Sequence, residues 1–152
     1  MDVALIITII GTVLTAVGTF YTLYHSGRVR KYKREIFEEL NKVNLIQVSE
    51  LLKNAQSETR KLLYPDSQLS RGTNLNEVIT SVQKSIDESL SLVNLDDKDK
   101  ILRDKIINSQ KTFRNYNNTS TNKKLKEEYI LEFHILLQEC ISLARTNATN
   151  IR

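Results

Sequence analysis

The chain has 152 residues, a net charge of +4, four Gly, one Pro and a single cysteine. So few turn residues argue against a sandwich or barrel, and Cys140 alone excludes an intramolecular disulfide framework or a thiolate zinc site. Arg28, Arg30, Lys31, Lys33 and Arg34, offset by Asp2, already account for the whole net charge, so residues 35–152 sum to about zero and lack the broad basic footprint of a duplex nucleic-acid binder.

From Val3 to Tyr24 no residue is charged, and about 20 apolar residues suffice to cross roughly 30 Å of hydrocarbon. A cleaved signal peptide would have a basic start and end at small residues. This segment has Asp2 before it and Phe20, Tyr21, Leu23 and Tyr24 at its end, so it is predicted to be a transmembrane anchor (1–25), followed by a cytoplasmic helical domain (26–152). The basic cluster after the apolar run places the N-terminus outside and the domain inside, at the cell's inner (plasma) membrane, with Phe20, Tyr21 and Tyr24 at the cytoplasmic interface. Arg28, Arg30, Lys31, Lys33 and Arg34 are expected to meet anionic lipid headgroups, each charge contributing about 1 kcal/mol near such a surface.

Around the axis of this segment the residues sort by size. Ala4, Thr8, Gly11, Thr12, Thr15, Gly18, Thr19 and Thr22 share an arc of about 120° at 100° per residue, while bulky residues and the single exception Ala16 fill the rest. Thr hydroxyls that merely bond back to their own turn would leave no reason for such one-sidedness. Small side chains let helix backbones approach, so Thr8, Gly11, Thr12, Thr15, Gly18, Thr19 and Thr22 form a candidate face for association with further copies of the chain. The 4-3-4-3 steps from Thr8 to Thr22 fit a period of 3.5 and a left-handed bundle. With four or more helices, the stripe would line a narrow polar path.

Beyond Gly27, Tyr32, Ile36, Leu40, Val43, Leu51, Leu52, Ala55, Leu62 and Leu63 recur mostly at helical steps, predicting a first domain helix over about 28–63 that can continue the membrane helix and stops before Pro65. Asp66 to Thr73 reads as a loop. Asn74 and Glu77 form a capping-box pair opening a second helix, with Leu75, Val78, Ile79, Val82, Ile86, Leu90 and Val93 on its apolar face. Asp96 or Asp97 is expected to cap a third, faced by Leu102, Ile106, Phe113 and Tyr116. The polar run Asn115 to Asn122 reads as a loop, and a fourth helix follows from about Lys123 to Thr146, centred on Leu125, Tyr129, Phe133, Leu136, Cys140 and Leu143 and widened by Ile130, Leu137, Ile141 and Ala144. The expected fold is all-α: one transmembrane helix and a bundle of about four helices.

Catalytic chemistry finds no foothold. His25 and His134 are the only histidines, and no phosphate loop, dinucleotide fingerprint or nucleophile elbow occurs. Cys140 falls on an apolar helix face, where a buried thiol is inert, and His134 beside Phe133 and Ile135 reads as structural. No metal, cofactor or enzymatic activity is expected. Lys100, Arg103, Lys111 and Arg114 share an arc of about 80° on the third helix. A solvated helix face accounts for them; alternatively they form an anion site completed by Arg60, Lys61 and Arg71, since guanidinium forks suit phosphate oxygens. Asn117 and Asn147 begin glycosylation sequons that a cytoplasmic domain would not use.

This layout, an N-out membrane helix, a basic junction and a small cytoplasmic helical domain, resembles the small membrane effectors of prokaryotic antiviral defence, in particular type III CRISPR effectors gated by cyclic oligoadenylates. The resemblance is one of architecture over the whole chain and transfers no residue role. It implies a self-associating, non-enzymatic protein whose domain binds a cyclic nucleotide and whose membrane part alters the envelope. Two other readings fit the same residues: a membrane-tethered adaptor for a protein partner, and a holin-type phage lysis or exclusion protein.

Overall fold

The computed structural model describes residues 2–62, 74–94, 99–119 and 123–151, and within them the fold is all-α. Four helices follow in order: α1 (Val3–Arg60), α2 (Leu75–Leu92), α3 (Lys100–Asn118) and α4 (Lys123–Asn150). The chain divides into two compact units, Met1–Glu39 and Leu40–Arg152, with residues 26–39 belonging to the first.

The first unit is the N-terminal part of α1. Its Ile-, Val- and Thr-rich composition is a poor helix former in water, but in hydrocarbon only a helix satisfies every backbone N–H and C=O within the segment. This part of α1 is long and apolar enough to cross a membrane, with a mean hydropathy of 1.5 in its best window. Val13, Leu14, Val17, Phe20 and Leu23 all stand exposed along it.

The second unit is an antiparallel four-helix bundle. Gln56 meets His134 and Ser49 meets Arg145, so α1 and α4 run in opposite directions. Phe113 packs on Phe133 with ring centroids 4.9 Å apart, and Lys105 pairs with Glu139, so α3 and α4 do likewise. Asp87 accepts from Gln110, which sets α2 against α3. The buried centre holds Leu45, Val48, Leu52 and Ala55 of α1, Val82 and Ile86 of α2, Leu102, Ile106 and Phe113 of α3, and Ile130, Phe133 and Leu137 of α4.

Several elements differ from the pattern expected of the sequence. Tyr32, Ile36, Leu40 and Val43 are not among the buried residues; they remain more than half exposed, and the α1 residues in the bundle core are Leu45, Val48, Leu52 and Ala55. On α4 the centre of the buried stripe lies on Ile130, Phe133, Leu137, Cys140, Ile141 and Ala144, whereas Leu125 is exposed and Tyr129, Leu136 and Leu143 sit at the edge. Helix α3 runs on to Asn118 through most of the expected loop, because Phe113 and Tyr116 are buried and hold the last turn against α4. The helix closes with the Thr119 N–H on the carbonyls of Asn115 and Tyr116. Its N-cap is Asp99, while Asp96 and Asp97 lie outside the described residues, as do Leu63, Pro65 and the Asp66–Thr73 loop.

The N-cap of α2 is as expected: the Asn74 side-chain oxygen accepts from the Asn76 N–H at 3.1 Å. Glu77, however, takes the Asn74 side-chain amide at 3.2 Å rather than its backbone N–H.

Candidate functional site

In the first unit every threonine hydroxyl of the small-residue face is engaged within its own helix. Thr8 donates to the Ala4 carbonyl, Thr12 to Thr8, Thr15 to Gly11, Thr19 to Thr15 and Thr22 to Gly18, at 2.8–2.9 Å. With the protons used, what the face offers another helix is close approach: a Cβ added at Gly11 or Gly18 would meet nothing within 4 Å. Thr hydroxyl oxygens remain available only as acceptors. At the end of the apolar stretch, Arg28 donates to the Tyr24 hydroxyl at 2.7 Å and lies 4.9 Å from its ring centroid, tying the first cation to an aromatic ring one turn earlier. Lys31 pairs with Glu35 and Arg34 with Glu38, both at 3.8 Å and exposed, which leaves Arg30 and Lys33 without ion pairs among the described residues.

In the bundle, a polar clasp unites all four helices at one end. Asp99, the N-cap residue of α3, is 2% exposed and makes no cap bond with its side chain. Its carboxylate instead accepts from Asn41 of α1 at 3.2 Å and from Asn147 of α4 at 3.1 Å. Asn41 in turn accepts from Asn94, just past α2, at 2.9 Å. Two amides thus donate to one buried carboxylate and a third braces one of them, an arrangement that offsets the desolvation of the carboxylate.

Asn94 also lines an open cleft of about 580 Å³, together with Asp87, Leu90, Ser91, Val93 and Arg103. The cleft is bipolar, with a carboxylate and a guanidinium on walls that include the apolar Leu90 and Val93. Of the basic residues singled out in the sequence, only Arg103 reaches it. Lys100, Lys111 and Arg114 are exposed along α3, spread over about 21 Å of helix between the first and last. Arg60 and Lys61 lie at the opposite end of the bundle from Arg103, Lys61 being held by Glu58 at 2.7 Å. Arg71 lies outside the described residues. The clasp residues Asn41, Asn94, Asp99 and Asn147 escaped sequence reasoning, since an amide near a helix end has the same local pattern whether it caps, faces water or is buried.

Helix α4 also carries Cys140 and His134. Cys140 is fully buried, and burial pushes its thiol up to about 12. His134 is held below its usual value by burial, with the nearby Arg60 charge adding to the effect. Its Nδ1 accepts from the Gln56 amide at 3.3 Å, leaving a buried Nε2 with no partner among the described residues. No group of three or more His, Cys, Asp or Glu side chains gathers at metal-binding distance among those residues.

Compared with known proteins, the chain matches no family model, no curated protein and no solved structure.

Proposed function

We propose that this protein is a non-enzymatic, self-associating membrane sensor: its helical domain, on the cytoplasmic side of the cell membrane, binds a ligand and thereby alters the packing or permeability of a bundle of membrane helices. The observation that carries this reading is the double membership of α1. One uninterrupted helix supplies the lipid-compatible segment and, through Leu45, Val48, Leu52 and Ala55, part of the core of the bundle. The cleft and the clasp share Asn94, and Asn94 bonds Asn41 on α1. A ligand seated on Arg103 and Asn94 therefore competes for, or reinforces, a hydrogen bond to the helix that leads to the membrane.

The cleft's bipolar character suits a nucleotide: Arg103 for phosphate oxygens, Asp87 for ribose hydroxyls or base N–H groups, Leu90 and Val93 for a base face. A cyclic oligonucleotide messenger and a role in antiviral defence agree with the architectural resemblance. Lys100, Lys111 and Arg114 extend positive charge along α3 for further phosphates. The test is thermal shift of the detergent-solubilised full chain against cyclic and linear oligonucleotides. A shift with one of them that Arg103→Ala abolishes supports the reading; no shift with any oligonucleotide refutes it.

A second reading, a tethered adaptor, is favoured by Leu131 and Ile135, two aliphatic residues four apart on α4 that remain 54% and 60% exposed. It predicts that Thr15→Leu with Thr19→Leu leaves cellular activity intact, whereas the sensor predicts loss.

A further inference from the structure

We infer that α1 carries one continuous heptad seam from the membrane into the cytoplasmic space, along which further copies of this chain assemble in parallel as a coiled coil of more than two strands. The inference rests on the self-association proposed above and names the surface beyond the membrane that carries it. The 4-3-4-3 spacing from Thr8 to Thr22 continues without a break through Ser26, Val29, Lys33, Ile36, Leu40 and Val43. The side chains change from hydroxyl to aliphatic just where the surroundings change from lipid to water, which is what each solvent requires of a helix contact: close approach in hydrocarbon, apolar burial in water.

Two observations mark this stretch as an unfilled contact. Val29, Ile36, Leu40 and Val43 are 56–63% exposed, although they repeat at heptad spacing in a segment too charged to lie in lipid. Within the second unit, Leu40 and Val43 also point away from the bundle. The α1 residues buried there, Leu45, Val48, Leu52 and Ala55, centre roughly 140° around the helix from the seam at 100° per residue. The chain's own core therefore uses one face of α1 and leaves the other open.

The occupant follows from geometry and composition. Copies that cross the same bilayer in the same sense are parallel, so identical seam positions meet at the same height. Counting Thr12, Thr19, Ser26, Lys33 and Leu40 as a positions puts Val29, Ile36 and Val43 at d. Leu40 is the one aliphatic a residue; with Ile36 at d it fits the pairing of Leu at a and Ile at d that favours three or four strands over two. Tyr32 and Ile46 at g, with Phe37 at e, broaden the apolar face to match and are themselves exposed. Lys33 is the one charged seam residue; its long stem lets the ammonium turn outward, and a single Lys at an a position sets register while weakening association.

The test is oxidative cross-linking of the full chain in native membrane vesicles. The seam variants Ile36→Cys and Val43→Cys are compared with Glu35→Cys and Lys42→Cys on the outer face, and with Thr15→Cys within the membrane. The natural Cys140 is buried and serves as the background. The seam variants are expected to form cross-linked dimers at least tenfold more than the outer-face variants. Adding Leu40→Asp should remove the Ile36→Cys product, Lys33→Leu should increase it, and mass photometry of the solubilised chain should count three or more copies. Equal yields on the two faces, or a strict dimer, would overturn the inference. Cross-linking at Thr15→Cys with none at Ile36→Cys or Val43→Cys overturns it while leaving self-association in place. No product at any position removes both.

Discussion

His134 and Cys140 show how burial dominates the behaviour of single residues. The His134 pKa is depressed in the fold, so the unfolded chain binds the proton more tightly. Its stabilising contribution is complete above the unfolded pKa of about 6.5 and is lost as the pH falls below that value. The melting temperature of the full chain in detergent should accordingly drop between pH 7.5 and pH 5.5, and His134→Gln should flatten that drop while leaving the value at pH 7.5 nearly unchanged. An equally steep fall in the variant would assign the acid sensitivity elsewhere. With its thiol held up to about 12 and no exposed surface, Cys140 should resist a disulfide reagent such as DTNB in the folded protein and react fully once guanidinium unfolds the bundle. The burial of Cys140 was legible from the apolar residues that share its helix face. The unpartnered Nε2 of His134 was not, because its surroundings come from Gln56 and the end of α1.

At the scale of elements, the clasp and the aromatic layer make separable demands. Asp99→Ala removes the acceptor shared by Asn41 and Asn147, leaving two part-buried amide donors without it. It should cost about 1–3 kcal/mol in denaturant unfolding. Asn94→Ala should cost less, since it removes a donor to Asn41 rather than the central carboxylate. Phe113 packs tilted against Phe133 across the α3–α4 contact and stacks with Tyr116 on its own helix, and Phe113→Ala should cost about 3–5 kcal/mol. Leu131→Ala on the exposed side of the same contact's α4 helix should stay within about 0.5 kcal/mol. If Asp99→Ala proved neutral, the clasp would be an incidental arrangement of amides and would carry no coupling.

For the molecule as a whole, the inferred seam makes the phase of α1 the quantity that matters, because the same helix supplies the apolar N-terminal stretch and part of the bundle core. Inserting seven helix-forming residues after Glu39 keeps the seam in register. Inserting two rotates everything beyond by about 200°. Cross-linking at Val43→Cys should survive the first insertion and fall at least tenfold with the second, while cross-linking at Thr15→Cys survives both. Loss in both insertions would show that length, rather than phase, governs assembly.

From the sequence alone came the features that depend on one segment and its solvent: an apolar stretch without charge, the basic residues behind it, four helices with period-3.6 patterns, the Asn74 cap and the burial of Cys140. These follow from local chemistry, which neighbours in space only confirm. Tertiary structure decided which face of each helix is inside. Tyr32, Ile36, Leu40 and Val43 satisfy helical periodicity as well as Leu45, Val48, Leu52 and Ala55 do, and only packing against α2, α3 and α4 separates the two faces of α1. It also decided that Asn41, Asn94, Asp99 and Asn147 meet, since residues 106 apart along the chain share no local pattern and are joined only when four helix ends converge on one buried carboxylate.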